Sequence, residues 1–237
     1  MDKQKAIFEC ARFAFKPNQL TYCGPDQNKE LAEYLEKMET DGGLALILEK
    51  FECMVPNLEF IASENKIKNP FDEKVVEAYW IGNGLLSNIK KSRLYSYLSE
   101  NPKLTLKEKL KLGGKLKAPA NMHHSFHVFK VWQTSGFAEN PQILKMIDEC
   151  RIGWGQIIEF KNGTIKVLYE PIIFDKGNLI FGTLIEKNIL CETKNILPKI
   201  NDWISFHWSS YCKTLSPEEL KNLRFWTKTN MEIHNIK

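Results

Sequence analysis

Three of the five histidines, His123, His124 and His127, are packed into one short segment. A neutral imidazole offers a ring lone pair, which makes it the commonest protein metal ligand. On a helix His123 and His127 stand at i and i+4. That spacing puts both on one face, as in helical metal sites, and predicts that they look into a shared pocket. The segment lacks the glutamate of an HExxH helix, so a zinc protease is not indicated. The plain alternative is a histidine-rich helix start packed on aromatic side chains. Cys23 lies in the turn Tyr22-Cys23-Gly24-Pro25-Asp26. A thiol on a tight loop can be activated by a nearby cation or by the positive end of a helix, here one starting near Asn28. The alternative for Cys23 is a small buried hydrophobe at a chain reversal. Cys10, Cys53 and Cys191 occupy apolar, periodic settings and read as core. Cys150 alone reads as a buried thiol. Cys212, shortly after His207, is a minor candidate ligand.

These residues need elements to position them. Ile7, Cys10, Ala11 and Ala14 recur with helical spacing, as do Leu31, Tyr34, Leu35 and Met38. An apolar run from Leu44 to Cys53 ends before Pro56. Asp72 can cap a helix whose inner face holds Val75, Val76, Tyr79 and Trp80. The stretch from Lys103 to Lys117 alternates lysine with leucine and reads as a solvated amphipathic helix. Met122 to Trp132 is read as helix, with a strand over FHVFKVW as the alternative. The character changes at Cys150, after which Ile, Val, Phe, Tyr and Trp come in short runs separated by turn signals. Five strands are expected: Ile157–Phe160, Ile165–Tyr169, Ile172–Phe174, Leu179–Ile185 and Trp203–Trp208. Asn162-Gly163 and Gly177-Asn178 are the turns. Ser216-Pro217-Glu218-Glu219 is a capping box opening a C-terminal helix. The fold class is therefore α+β: a mainly helical domain over 1–145, then a small OB-like β-barrel with a C-terminal helix over 146–237.

The 237 residues are 43% hydrophobic and 26% charged, enough to bury a sizeable core. A net charge of +4 from 33 basic and 29 acidic residues, mixed along the chain, gives no footprint for nucleic acid. No run approaches the roughly 20 apolar residues that cross a bilayer. The first residues lack the apolar core of a signal peptide. The scattered cysteines fit a reducing compartment, so a cytoplasmic protein with free thiols and no membrane partner is expected. GxGxxG, a phosphate-binding GxxxxGK and GxSxG are all missing.

Residues 150–160, CRIGWGQIIEF, resemble the opening of the HypC/HupF family of [NiFe]-hydrogenase maturation chaperones. Cys150, Gly155, Ile157, Ile158, Glu159 and Phe160 fall at matching places. NDWISFHWSSYCKTLSPEEL, residues 201–220, resembles that family's closing strand, histidine and acidic helix, with His207 at the motif histidine. The whole chain also resembles an uncharacterised family encoded near hydrogenase genes, on Tyr22–Asp26 and His123–Phe129. The first resemblance implies that Cys150 and His207 handle an iron fragment or engage a partner's cysteine, since sulfur and imidazole both suit iron.

The function implied is thus an accessory or metal-handling protein for hydrogenase maturation. Iron is the first expectation for the cofactor and zinc the second. The partner would be a hydrogenase large-subunit precursor or a maturation protein. Cys150, internal here, would need a cleft between the domains. His207 would be on the barrel wall, with the His123–His127 segment or the Cys23 loop opposite, and metal binding would weaken as pH falls through the histidine range. Two other classes stay open. One is a metalloenzyme using His123, His124 and His127 with Cys23 or Asp26. The other is an oligonucleotide-binding barrel displaying Trp154, Phe174, Trp203 and Trp208.

Overall fold

The computed structural model describes residues 3–100, 122–135, 140–191 and 198–235. The expected lysine-rich helix over 103–117 lies outside the described residues. The chain opens with α1 (Lys3–Gln19), α2 (Asn28–Lys37), α3 (Gly42–Leu48), α4 (Val55–Glu64), α5 (Glu73–Trp80), α6 (Gly84–Ser87) and α7 (Lys91–Ser99). The stripe read from the sequence is the buried face of α1, where Ile7, Cys10, Ala11 and Ala14 are all covered. Asp72 caps α5 by accepting from the Lys74 amide at 3.0 Å. The Leu44–Cys53 run is not one element. Its helix stops at Leu48 and a turn carries the chain to Met54. Pro56 opens α4 rather than closing the run, because a first-turn proline forfeits only an amide that has no helical partner.

The barrel half begins after α8 (His124–Ser135) and α9 (Pro141–Cys150). Its strands are β1 (Gly153–Lys161), β2 (Thr164–Tyr169), β3 (Ile172–Asp175), β4 (Asn178–Phe181), β5 (Ile185–Leu190), β6 (Trp203–His207) and β7 (Ser210–Thr214). Five of them close in the order β1-β2-β5-β7-β6, with β6 returning to β1 and only β5–β7 parallel. Ile157, Ile165, Val167, Ile189, Ile204 and Phe206 fill the interior. Gly155, one of the motif glycines, sits where an added Cβ would lie 2.8 Å from Val167, so only glycine lets β1 and β2 approach this closely. The hairpin β3–β4 stands outside the barrel and packs on α9 and α10 (Pro217–Asn235). The Ser216–Glu219 capping box starts α10, with Ser216 Oγ accepting from the Glu219 amide at 3.2 Å and Glu219 accepting from the Ser216 amide at 2.8 Å.

The α+β arrangement, helices first and a barrel with a terminal helix after them, is the one expected. The strand assignment differs in two places. The expected Leu179–Ile185 strand is two: β4 belongs to the hairpin and β5 to the barrel. The expected Trp203–Trp208 strand ends at His207, and β7 follows at once. Trp208 and Ser209 both adopt left-handed backbone, φ 51° and 56°, making a two-residue hairpin turn without the usual Asn-Gly. The division at 145/146 is also not a break in packing. The largest buried cluster joins α1, α4 and α5 to Ile152, Trp154, Cys212, Leu223 and Trp226 from the barrel half. Among the described residues no helix is long and apolar enough to cross a membrane.

Candidate metal centre

The chemistry-bearing residues gather where α1, α5, α8 and the end of α9 meet the β6–β7 turn. A chamber of about 100 Å³ is lined there by Cys23, Cys53, His124, His127, Cys150 and His207, with Phe51, Tyr79, Trp80 and Trp208 as its aromatic walls. Within it one ligand atom each from His124, Cys150 and His207 lie within 4.8 Å of one another.

Each of these three is placed by its own local structure. Cys150 ends α9, and its neighbour Glu149 is tied to the barrel from three sides. The Glu149 carbonyl accepts from the Trp208 amide at 2.9 Å. Its carboxylate accepts from Ser209 Oγ at 2.7 Å and Lys187 Nζ at 2.6 Å. The same helix is pinned one residue earlier, where buried Asp148 takes hydrogen bonds from Arg151, Tyr169 and the Ile172 amide. His207 is the last residue of β6 and points back at α1. His124 opens α8 and meets His207 edge to face, ring centroids 5.1 Å apart at 76°.

Carbonyl partners settle the tautomers, because a carbonyl only accepts. His124 donates from Nε2 to the Cys150 carbonyl at 2.9 Å, which leaves Nδ1 as its lone pair, with Tyr79 Oη at 3.2 Å. His207 donates from Nδ1 to the Phe13 carbonyl at 2.7 Å, which leaves Nε2 as its lone pair. That Nε2 is buried and completes no hydrogen bond among the described residues, although the Cys150 carbonyl is near enough to act on the ring. An imidazole fixed by a backbone carbonyl on one nitrogen and bare on the other is the usual state of a metal-ligating histidine. Bonds to zinc-type ions run about 2.0–2.1 Å from imidazole nitrogen and 2.3 Å from sulfur, so binding would contract the triad.

The electrostatics follow from burial. It holds the His207 imidazolium off to about 4, partly opposed by the Phe13 and Cys150 carbonyls, and pushes His124 well below its ordinary range, with nearby His207 adding to the effect. Burial also pushes the Cys150 thiol up to about 12, the Trp208 side chain pulling the other way. The imidazoles are therefore neutral and ready throughout the physiological range, and the proton that must leave belongs to the thiol. Rings buried this deeply do not titrate near their ordinary value, so the thiol rather than an imidazole is the group that would give up a proton to a bound ion.

The remaining expected residues divide. His127 lines the chamber and also a second cavity of about 470 Å³, with Cys53 beside it in both. Cys23 lines the chamber from the loop after α1. That loop is built by Asn18, which donates to the Cys23 and Pro25 carbonyls at 3.0 and 2.7 Å. Gly24, at φ +93°, lies so close to the Phe51 ring that a Cβ would sit 2.3 Å from it. Tyr22 stacks on Trp208, centroids 4.3 Å apart at 16°, and covers the chamber.

His123 is not on the chamber wall. It precedes α8, and its Nδ1 meets Ser125 Oγ at 2.8 Å and the Ser125 amide at 3.2 Å, so the ring caps its own helix. The i, i+4 argument fails because one member lies outside the helix; His124 and His127, at i and i+3, share the face instead. Cys212 is buried against the Arg12 and Ser210 carbonyls, and exposed Asp26 does not line the chamber. Cys53, read as core, is the residue that sequence reasoning missed. Its only signal was its place just before Pro56, in a turn rather than a periodic run.

No curated protein and no solved structure matches the chain. The model of a family of unknown function, DUF6390, matches residues 3–237, and the chain belongs to that family.

Proposed function

We propose that the protein holds a borderline or soft metal ion between His124, Cys150 and His207. In this reading it is a metal-handling accessory protein of [NiFe]-hydrogenase maturation. The observation that carries the reading is His207 Nε2, a buried lone pair with no hydrogen-bond partner beside a thiol and a second imidazole. Such an atom costs stability unless something binds it. Nitrogen and sulfur donors together suit iron(II) first and zinc(II) second. When bound, the ion would supply the Lewis acidity and ligand-exchange chemistry. The chain's own groups orient the donors, exclude water and give up the Cys150 proton.

The resemblance to the HypC/HupF chaperones supports the finer part of the reading. The two residues it marks, Cys150 and His207, belong to one cluster in space. The size of the chamber supports handling over turnover. About 100 Å³ under the Tyr22–Trp208 stack leaves space for an ion with small ligands and little for an organic substrate. The partner would be a hydrogenase large-subunit precursor or a maturation protein, met in the cytoplasm where thiols stay reduced.

The test is anaerobic purification followed by elemental analysis and infrared spectroscopy. Stoichiometric iron with cyanide and carbonyl bands is expected. Metal without those bands would keep the centre and remove the hydrogenase step. Failure to take up either iron(II) or zinc(II) would remove both.

A further inference from the structure

We propose that Cys23 and Cys53 ligate the same metal ion as Cys150, so that the loaded centre carries three thiolates. This rests on the metal-handling reading and deepens it, since it sets the donor count and the class of ion. Both thiols line the chamber that holds Cys150, His124 and His207. Cys53 is the side chain that bears most strongly on the Cys23 thiol, and neither cysteine is in a disulfide. Two neighbouring thiols and a third in the same small chamber offer a thiophilic cation a sulfur-rich donor set. That set closes by contraction around the ion, since among the described residues the ligand atoms already within 4.8 Å of one another are those of His124, Cys150 and His207. His207 Nε2, buried and without a partner, supplies the fourth position.

The three thiols arrive from three separate segments, each with its own backbone anchor. Asn18 holds the Cys23 carbonyl at 3.0 Å, and Asn57 Nδ2 donates to the Cys53 carbonyl at 2.8 Å. Glu149 fixes the residue before Cys150. Convergence of independently braced segments on one apolar chamber is what a built coordination site requires.

The reaction balances without electron transfer. A divalent ion and three Cys–SH groups give a tris-thiolate complex of net charge −1 and three protons released to solvent, with neutral imidazole adding no charge. In the fully loaded centre His124 yields its place to the two added thiolates and keeps its hydrogen bond to the Cys150 carbonyl. Three sulfurs and one nitrogen around a tetrahedral ion make a closed site, which stores or passes on metal and does not hold an open position for substrate. Cys53 also borders the larger cavity, so it is the thiol that an ion arriving from that side meets first.

The test uses cobalt(II) as an anaerobic probe of the full chain. Two readouts are taken: protons released per ion bound, by indicator dye, and the near-ultraviolet sulfur-to-cobalt charge-transfer intensity. The wild-type protein should release about three protons per ion. Cys23→Ala and Cys53→Ala should each remove about a third of the band and one proton, and the double variant about two thirds, with cobalt still bound. The wild-type proton count alone decides the matter if a variant fails to fold. Release of a single proton, or a full band in the double variant, overturns this proposal and leaves the three-residue centre standing. No cobalt uptake by the wild-type protein overturns both.

Discussion

His124 gives its Nε2 proton to the backbone carbonyl of Cys150, so the ring of one proposed ligand is oriented by the main chain of another. Neither residue can shift without the other. The sequence puts them on different helices, and the end of α9 is held by Glu149 and Asp148.

A prediction about the thiol follows from that bracing. Cys150→Ala should lower metal affinity by more than roughly tenfold, the lower end of what even outer-shell changes cost. The fold should lose only about 1 kcal/mol, since a small side chain is removed and the carbonyl that orients His124 is retained. Equilibrium denaturation together with competition against a chromophoric chelator measures both. A variant that unfolds, or one that binds metal unchanged, contradicts the assignment.

Metal affinity should rise with pH across the neutral range. The Cys150 thiol, raised to about 12, is protonated at pH 7 and must release its proton on binding. Each displaced thiol proton adds about one tenfold gain per pH unit. His207, lowered to about 4, is already neutral and adds no slope between pH 5 and 8. Dissociation constants at several pH values should give a straight line in that interval, and a break near 6.5 would show that an imidazole is titrating.

The metal-free protein should lose stability in mild acid. His207 takes its proton near 6.5 when unfolded but only at about 4 when folded. The unfolded state therefore binds more protons between those values. The contribution is fully present above pH 6.5, declines as pH falls, and levels off below about 4. The loss from this group is roughly 3 kcal/mol. His123, lowered to about 3 by burial, acts in the same direction. Thermal melting from pH 7.5 to 4.5 checks it, and a flat profile would count against buried neutral rings.

Tyr22→Ala should uncover the chamber without removing a donor. Loss of the stacked pair with Trp208 should cost about 1 kcal/mol of stability. The rate at which a chelator strips bound metal should rise, while stoichiometry and the thiolate spectrum stay the same. An unchanged stripping rate would mean that metal leaves by another route, such as past Cys53 and His127.

What the sequence disclosed depended on whether local signals carried the structure. The face of α1, the Asp72 cap, the capping box at Ser216 and the Asn162-Gly163 turn are short-range chemistry, and all were legible. β7 was not, because its turn is Trp208-Ser209. That pair has no intrinsic preference for left-handed backbone and is held there by Glu149 and Tyr22, contacts that exist only in the folded chain. The candidate site was legible as residue types: Cys23, His124, His127, Cys150 and His207 could be named. Which of them share a wall was not. His123 looked equivalent to its neighbours until the helix was seen to start one residue later. Cys53 looked like core because a turn interrupts a run that reads as continuous.

The hydrogen bond from His207 to the Phe13 carbonyl joins residues 194 positions apart. A ribosome releases the first of these long before the second. While the chain is being made, α1 can fold but its carbonyl has no imidazole to receive, and the chamber lacks a wall. Contacts of such long range form late, after the ends of the chain have been brought together. The centre is thus a property of the finished polypeptide. An ion bound by the proposed ligands would be captured only after β6 has been made, and a chain shortened at the C-terminal side before β6 would carry thiols and helices but lack His207.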